Sequence, residues 1–383
     1  MAGFSTDDRR YMERALRLAE KGRGLTRPNP MVGAVIVKNG RIISEGYHRC
    51  PGKDHAEIDA IKKSRDDIKG STIYVTLEPC TVAGRTPPCA DELIRQGFSR
   101  VVVGAVDPNP LVMGKGINRL MSAGIEVDPG LLQDEVKKQN EVFFKNMETG
   151  LPFVCAKTAS SIDGKMAAPG SDSKWITGPS SRNRVQDLRQ EYGCVLTGIN
   201  TVIADDPTLF PKKKLEGTLK QNMDSFLTRE QKSSFTRVIL DHSLRTPAGS
   251  AIVQTSGSIR TIVFTGDNTG KAGPYGNMVF ECRDKGKWQP REVLKLLYDK
   301  YGITSVMLEA GPSVLTSFLN GRAIDKFIFF IAPRIIGGHS SYSMFGDTGV
   351  KMIEDSIGIR FDSFASSGED ILIMAYPSYR KGI

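Results

Sequence analysis

The chain has 383 residues, and at roughly 150 residues per domain this length predicts two or three domains. Hydrophobic residues make up 39% and charged residues 25%, a composition that excludes fibrous and long disordered chains. The longest apolar run, 327–332, falls far short of the roughly 20 residues that span a bilayer. It predicts a buried strand, and no membrane partner is expected.

The net charge of +9 is compatible with binding of nucleic acid or of phosphorylated metabolites, or with a role in solubility alone. Because the aromatic residues do not alternate with basic ones, nucleic acid is not expected to be the main partner. The six cysteines are scattered, which argues against a disulfide framework. Asp7 and Asp8 stand where a signal peptide needs apolar residues, so a cytoplasmic location is expected.

The first half alternates helical and strand patterns, which predicts an α/β layer. Thr6 is predicted to cap a helix that ends near Gly22, and Asn39-Gly40 predicts a hairpin turn. In chain order, the other predicted elements are strands 32–38 and 41–45, helix 55–63, strand 72–77, helix 89–96, strands 101–105 and 125–127, and helix 133–147.

Residues 149–152 interrupt the periodicity and predict a domain boundary between 1–149 and 150–383. The second half is again α/β. Its predicted elements are strand 153–159, helix 179–192, strands 195–198, 238–241 and 261–264, helix 290–301, and strands 305–309, 327–331 and 371–375. Segment 211–235 is long and polar, which predicts either a functional lid or an insertion.

Three residues of the first half have metal-ligand chemistry: His55, Cys80 and Cys89. A catalytic zinc commonly has three protein ligands and a fourth position for water, and thiolates are favoured at helix N-termini. Glu57 lies two residues after His55, so it is expected to contact the water and not the metal. The alternative is a structural zinc site, in which a fourth protein ligand such as Cys50 completes the coordination.

The motifs around these residues resemble the bifunctional pyrimidine deaminase/reductase family of riboflavin biosynthesis. They are Pro28-Asn29-Pro30, Val32-Gly33, His55-Ala56-Glu57, Thr76-Leu77-Glu78-Pro79-Cys80, Gly84-Arg85-Thr86-Pro87-Pro88-Cys89 and Asp107-Pro108-Asn109-Pro110. The resemblance implies a cytidine-deaminase-like three-layer domain with one zinc ion per chain on His55, Cys80 and Cys89. It implies that Glu57 shuttles protons, and that the substrate pocket is lined by Asn29, His48, Arg85, Asp107 and Asn109.

Segments 157–165, 173–177, 201–207 and 309–313 resemble the reductase half of the same family, whose fold is like dihydrofolate reductase and whose hydride donor is NADPH. The resemblance implies cofactor contacts by Ala159, Trp175, Thr201, Asp205, Gly311, Pro312, Ser313, Val314, Leu315, Thr316 and Ser317. It implies substrate contacts by Ser173, Arg189, Leu209, Lys212 and Glu309.

The implied function is zinc-dependent deamination of a phosphorylated pyrimidine ribotide, 2,5-diamino-6-ribosylamino-4(3H)-pyrimidinone 5′-phosphate, followed by NADPH-dependent reduction of its ribosyl group to ribityl. A homo-oligomer is expected. The chain departs from the family at Thr81-Val82, usually Ser-His, and at Leu209-Phe210-Pro211-Lys212, usually Leu-Thr-x-Arg. These departures leave open a deaminase whose second domain is catalytically impaired or structural. The positive charge leaves open a deaminase that edits nucleic acid.

Overall fold

The computed structural model describes residues 3–82, 88–170, 174–211, 235–266 and 273–379. The described chain forms two compact units, one before and one after the bond between Gly150 and Leu151. Within these ranges, no helix is both long enough and apolar enough to cross a membrane.

The N-terminal unit is built on a five-stranded sheet of order β2-β1-β3-β4-β5. Its strands are β1 (Gly33–Lys38), β2 (Arg41–Tyr47), β3 (Thr72–Leu77), β4 (Arg100–Ala105) and β5 (Glu126–Pro129). Its helices are α1 (Thr6–Ala19), α2 (Ala56–Lys63), α3 (Cys89–Gln96), α4 (Lys115–Ser122), α5 (Gln133–Gln139) and α6 (Glu141–Thr149). Strand β1 runs antiparallel to both neighbours, whereas β3, β4 and β5 are parallel.

Alternating residues of β1 divide this unit into three layers. Ala34 and Ile36 pack with residues of α2, α3 and α4 on one face of the sheet. Val35 and Val37 pack with residues of α1 on the other face. Both faces are therefore covered by helices, which confirms the predicted three-layer α/β fold.

Two predictions about the helices of this unit were wrong. Ser5, not Thr6, caps α1, because the Asp8 amide donates to Ser5 Oγ at 3.0 Å and the Ser5 amide donates to an Asp8 carboxylate oxygen at 2.9 Å. The predicted helix 133–147 is two helices that break at Asn140. Its side chain accepts from the Met31 amide at 2.8 Å and donates to the Met31 carbonyl at 2.9 Å.

The C-terminal unit contains a nine-stranded sheet of order β11-β10-β9-β8-β12-β6-β13-β16-β15. These strands are β6 (Phe153–Ser161), β8 (Cys194–Gly198), β9 (Thr236–Leu240), β10 (Arg260–Gly266), β11 (Val279–Arg283), β12 (Ser305–Leu308), β13 (Lys326–Ala332), β15 (Gly358–Ser367) and β16 (Asp370–Ser378), while β7 (Lys165–Ala167) pairs with β14 (Tyr342–Ser343). The helices are α7 (Pro179–Tyr192), α8 (Ile199–Asp205), α9 (Ala251–Gln254), α10 (Pro290–Tyr301) and α11 (Pro312–Asn320).

The first seven strands in the sheet order, from β11 through β10, β9, β8, β12 and β6 to β13, are all parallel. Strands β16 and β15 add an antiparallel edge. The apolar run 327–332 lies within β13, where Phe327 and Phe330 are buried, so the predicted buried strand is confirmed. The predicted segment 211–235 lies outside the described residues except at its two ends. Because β8, β12 and β6 are parallel neighbours, their carboxyl ends meet at one edge of the sheet.

Candidate active sites

Three side chains able to bind a metal ion meet beyond the carboxyl end of β3. His55 Nδ1 lies 3.2 Å from Cys89 Sγ and 3.6 Å from Cys80 Sγ, and the three ligand atoms lie within 4.8 Å of one another. In the part of the chain that the structure describes, no fourth His, Cys, Asp or Glu joins this group, and Cys50 stays outside it. Three protein ligands leave a position open, as in catalytic zinc sites.

The starts of helices α2 and α3 position His55 and Cys89 next to Cys80. His55 is the N-cap of α2 with extended backbone angles (φ −68°, ψ 163°), so its ring can turn away from the helix axis. Cys89 is the first residue of α3, and its amide lies 3.5 Å from Cys80 Sγ, while the Ala90 amide donates to the Cys80 carbonyl at 3.1 Å. The positive end of α3 therefore faces the Cys80 sulfur and favours its thiolate.

The pKa values of His55, Cys80 and Cys89 are shifted by hydrogen bonds among the three side chains. Hydrogen bonding with Cys89, reinforced by His55, lowers the pKa of Cys80, and the same contact raises the pKa of Cys89. Hydrogen bonding with Cys80 raises the pKa of His55 to about 9. A cation with affinity for sulfur and nitrogen would replace these protons.

Glu57, the second residue of α2, is buried beside the metal cluster at 3% exposure. Burial raises the pKa of its carboxyl to about 7, although the positive charge of His55 opposes this effect, and its side chain contacts Cys89. A carboxyl group with a pKa near neutrality can both accept and release a proton. The sequence predicts that role for Glu57.

Two of the predicted substrate residues lie next to the cluster. His48 Nδ1 lies 3.0 Å from the Asp54 carbonyl, and Nε2 lies 3.1 Å from Asn29 Nδ2. Burial lowers the pKa of His48, so the ring is neutral near pH 7 and its Nε2 can accept from Asn29. The His48 and His55 rings meet edge to face, with centroids 5.6 Å apart.

Asp107 and Asn109 follow β4, the strand next to β3. The Asn109 amide donates to Asp107 Oδ1 at 2.8 Å, and burial raises the pKa of Asp107 to about 6. Glu78, which belongs to the motif that ends at Cys80 but has no predicted role, accepts from the Asp107 amide at 3.2 Å. The predicted Arg85 lies outside the described residues.

A second group of charged side chains lies at the carboxyl ends of the parallel strands of the C-terminal unit. Arg189 on α7 donates Nε and Nη2 to the two carboxylate oxygens of Glu309, at 2.6 and 3.0 Å. Lys157 on β6 places Nζ 3.7 Å from the same carboxylate. Burial works to raise the pKa of Glu309, but the charges of Arg189 and Lys157 outweigh it and lower that pKa. Glu309 is therefore a buried anion.

Lys157 was missed as a site residue. Burial lowers the pKa of its ammonium, against the attraction of Glu309. The signal was present in the sequence, since a lysine within the otherwise apolar and small-residue run of 153–161 has no solvated face to occupy.

The predicted cofactor residues cluster at the same edge of the sheet. Ala159 is on β6, Thr201 is on α8, and Gly311 is the N-cap of α11 and makes no side-chain cap hydrogen bond. The N-terminus of a helix favours the binding of an anion. A Cβ on Gly198 would lie 2.7 Å from the Val314 side chain, so the starts of α8 and α11 are close. Within the 311–317 run, the Leu315 side chain is in the core, and Thr316 Oγ1 accepts from the Gly346 amide at 2.8 Å.

The remaining predicted residues flank this edge. Trp175 is 63% exposed, with the Arg182 guanidinium 4.6 Å from its ring centroid. Lys174 Nζ lies 3.3 Å from the Asp205 carbonyl. Leu209 is buried at 2% exposure and has a left-handed backbone (φ +53°). Ser173 and Lys212 lie outside the described residues.

Comparison with known proteins decides the family. Residues 152–373, more than half of the chain, match the family described as "RibD C-terminal domain", and residues 5–105 match "Cytidine and deoxycytidylate deaminase zinc-binding region". "Riboflavin biosynthesis protein RibD" of Aquifex aeolicus is 41% identical over 366 residues, which are 96% of this chain and 97% of that protein. The chain belongs to the RibD family.

Solved RibD structures agree with this assignment. One form of Acinetobacter baumannii RibD superimposes with a TM-score of 0.83 at 36% identity, covering 97% of this chain and 99% of that one. The diaminohydroxyphosphoribosylaminopyrimidine deaminase/5-amino-6-(5-phosphoribosylamino)uracil reductase of Thermotoga maritima gives 0.82 at 35% identity, with the same coverage. The predicted fold of a cytidine-deaminase-like domain followed by a RibD reductase domain is confirmed.

As a RibD family member, the chain is a bifunctional enzyme of riboflavin biosynthesis with a deaminase, which is a hydrolase, and a reductase, which is an oxidoreductase. This prediction is confirmed, and neither the impaired second domain nor the nucleic-acid-editing alternative is favoured. The deaminase region is of the zinc-binding type, and a RibD reductase domain implies a nicotinamide cofactor in general.

The two departures from the RibD pattern lie close to the two sites. Val82, where the family usually has histidine, is 50% exposed two residues after Cys80. Phe210 packs edge-on against Phe235 with ring centroids 5.3 Å apart, immediately after the buried Leu209. Neither Val82 nor Phe210 belongs to the metal cluster.

Proposed function

We propose that residues 1–149 hydrolytically remove the 2-amino group of 2,5-diamino-6-ribosylamino-4(3H)-pyrimidinone 5′-phosphate, and that residues 150–383 reduce its ribosyl group to ribityl with NADPH. The observation that carries this proposal is the open cluster of His55, Cys80 and Cys89 beside the buried carboxyl of Glu57. The Thermotoga maritima protein, whose name states both steps, supports the choice of substrate.

The donor set of the N-terminal unit fits zinc. Two thiols and one imidazole favour zinc over magnesium or calcium, and the three ligand atoms lie close enough for one ion per chain. When bound, zinc would lower the pKa of a water molecule in its fourth coordination position. The Glu57 carboxylate would take a proton from water and deliver it to the departing amino nitrogen.

The neighbouring side chains would orient the pyrimidine ring. The neutral His48 fixes the side-chain amide of Asn29, while Asp107 and Asn109 present a carboxylate and an amide from the loop after β4. We assign the substrate phosphate to Arg85, because a guanidinium binds phosphate through two parallel hydrogen bonds.

The C-terminal edge of the second sheet fits NADPH and a polyhydroxylated substrate. The uncapped start of α11, from Gly311 to Ser317, would bind a phosphate of the cofactor, and Ala159, Trp175, Thr201 and Asp205 would contact the remainder. NADPH supplies the hydride. Arg189 and Glu309, with Ser173, Leu209 and Lys212, would hold the sugar chain, since a buried carboxylate accepts strongly from hydroxyl groups.

The substitution Glu57→Ala in the full chain tests the two-site assignment. We expect deamination to be lost while NADPH-dependent reduction of pre-deaminated substrate continues at the normal rate. Glu135→Ala, on an exposed position of α5, is the matched control and should retain both activities. Loss of both activities in folded Glu57→Ala protein, or deamination that survives the substitution, would contradict the assignment.

We also infer a cytoplasmic homo-oligomer. The cysteines, all of which lie within the described residues, are scattered and form no disulfide, which suits a reducing compartment. The edge strand β15 exposes Ile359, Phe361 and Phe364 at 39, 56 and 62%, and an apolar edge of this kind is usually covered by a partner. Light scattering should give a multiple of the 42.0 kDa chain mass, and a monomer at micromolar concentration would refute the oligomer.

A further inference from the structure

A buried carboxylate links the metal cluster of the deaminase to the loop that follows the neighbouring strand. Glu78 lies between the end of β3 and the metal-binding Cys80, and it is 4% exposed. Its own amide donates to the Ala105 carbonyl at 3.0 Å, so its backbone extends the pairing between β3 and β4. Its side chain therefore starts from a fixed backbone position.

The Glu78 carboxylate accepts four backbone hydrogen bonds from a single stretch of chain. One oxygen accepts from the amides of Asp107 at 3.2 Å and Gly114 at 2.9 Å. The other oxygen accepts from the amides of Gly116 at 2.9 Å and Ile117 at 3.2 Å. One side chain thus holds both ends of the 107–114 loop and supplies the N-terminal cap of α4.

The local sequence is adapted to this contact. The N-cap of α4 is Gly114, at φ +72°, which has no side chain with which to cap the helix. A Cβ on Gly116 would lie 2.0 Å from the Pro79 carbonyl oxygen and 3.2 Å from Glu78 Cγ. The start of α4 is therefore docked directly onto Glu78 and Pro79, an approach that only glycine allows at position 116.

The loop held in this way carries Asp107 and Asn109. Within it, Asp107 Oδ1 accepts from the Asn109 amide at 2.8 Å, and Asn109 Oδ1 accepts from the Leu111 amide at 3.0 Å. These short-range bonds fix the shape of the loop. The four bonds to Glu78 fix its distance from the segment that contains Cys80.

We propose that Glu78 is a positioning residue of the deaminase, which holds Asp107 and Asn109 at the distance from the metal cluster that binding of the pyrimidine requires. The inference rests on the proposed function of the N-terminal unit, because it assumes that this loop contacts the substrate. Glu78 itself contacts no substrate. Its effect passes through the backbone of the 107–117 segment.

The substitution Glu78→Gln in the full, zinc-loaded chain tests the proposal, because it keeps the shape but places an amide NH2 against two backbone donors. An unsatisfied buried group of this kind is costly. We expect the deaminase KM to rise about tenfold, with kcat and zinc content little changed. Amide hydrogen exchange should accelerate across 107–117 and not in β1. Glu126→Gln, exposed on β5, is the matched control and should match the unsubstituted enzyme.

A double-mutant cycle with Asn109→Ala separates positioning from general destabilisation. If Glu78 acts through the loop, the doubly substituted enzyme should show a KM increase smaller than the product of the single increases. Equal KM in Glu78→Gln and the unsubstituted enzyme would overturn the proposal. So would a multiplicative double mutant, or a loss of zinc in proportion to the loss of activity.

Two further observations keep the result decisive. If Glu78→Gln does not fold, Glu78→Asp keeps the charge but withdraws the carboxylate from the amides of 107–117. It should raise the same KM, while reductase activity reports on the rest of the chain. If the unsubstituted enzyme does not deaminate the proposed pyrimidine, the proposed function fails. In that case, unchanged hydrogen exchange at 107–117 in Glu78→Gln would still refute the proposal that Glu78 holds this segment in place.

Discussion

Replacement of the buried Arg237 by methionine should destabilise the C-terminal unit and impair its reductase selectively. Arg237 is on β9, in the interior of the sheet, and is fully buried. Its guanidinium donates to Thr261 Oγ1 at 2.6 Å and Thr255 Oγ1 at 2.7 Å. It also donates to the carbonyls of Thr208 and Ile252, both at 3.0 Å. These acceptors are all neutral.

The magnitude follows from the groups left without a donor. The two carbonyls lose their bond to Arg237, at about 1–3 kcal/mol each, whereas the two hydroxyls can bond elsewhere. Against this loss stands removal of a buried charge, whose burial lowers the pKa of Arg237 to about 10. We expect a net destabilisation of about 2–4 kcal/mol for Arg237→Met, a large fraction of the stability of a domain.

Reductase activity should fall because Arg237 holds the carbonyl of Thr208, the residue before Leu209. Asp206 and Leu209 both have left-handed backbones, at φ +41° and +53°, and such conformations persist only where the surroundings hold them. The Asp206 carboxylate accepts from the Ala251 amide at 2.8 Å, and Arg237 supplies the second restraint. Without it, we expect the reductase KM for the pyrimidine substrate to rise at least tenfold.

Hydrogen exchange and the two enzyme assays, performed on one preparation, test this prediction. Exchange in β9 and β10 reports the free energy of local opening, and β4 of the N-terminal unit is the internal reference. Arg260→Met, exposed at the start of β10, is the matched control. A change below about 1 kcal/mol in β9, or an equal loss of deaminase activity, would refute the reasoning.

Two further predictions concern single side chains. Glu309→Gln removes the anion between Arg189 and Lys157, so the reductase kcat/KM should fall about 100-fold or more while deamination is unchanged. Steady-state assays of both reactions measure this effect, and a fall in reductase kcat/KM of less than threefold would contradict the prediction. Asn140→Ala removes both bonds to Met31, so thermal unfolding should show a loss of about 1–3 kcal/mol in the N-terminal unit, and an unchanged transition would contradict it.

The sequence predicted those features that depend on local spacing. The β-branched and apolar residues of 32–38 predicted β1, the residues of 72–77 predicted β3, and the apolar run 327–332 predicted the buried β13. The residues His55, Cys80 and Cys89 could be grouped because each stands at the end of a predictable element. Ligand chemistry and element boundaries together were sufficient to predict this cluster.

Features held by distant partners could not be predicted in this way. Helix α4 was missed because its cap comes from Glu78, 38 residues before Gly116, while its own first turn contains a glycine that disfavours helix. The break at Asn140 depends on Met31, 109 residues away. Single-sequence patterns contain no information on such contacts.

Buried cations and exposed strands were missed for a related reason. Arg237 resembles a surface residue in the sequence, because its acceptors lie on other strands and loops. Strand β15 has almost no buried face, so it shows no alternation of apolar and polar residues. Each omission reflects tertiary contacts that replace the local signal.

We propose that one chain carries a zinc-dependent deaminase and a reductase whose activity does not depend on that zinc. The most direct test measures metal content, deamination and NADPH oxidation on one preparation, before and after removal of the metal with a chelator. We predict about one zinc per chain, loss of deamination with the metal, and unchanged NADPH oxidation on pre-deaminated substrate. Deamination that persists without metal, or NADPH oxidation that disappears with it, would contradict the account.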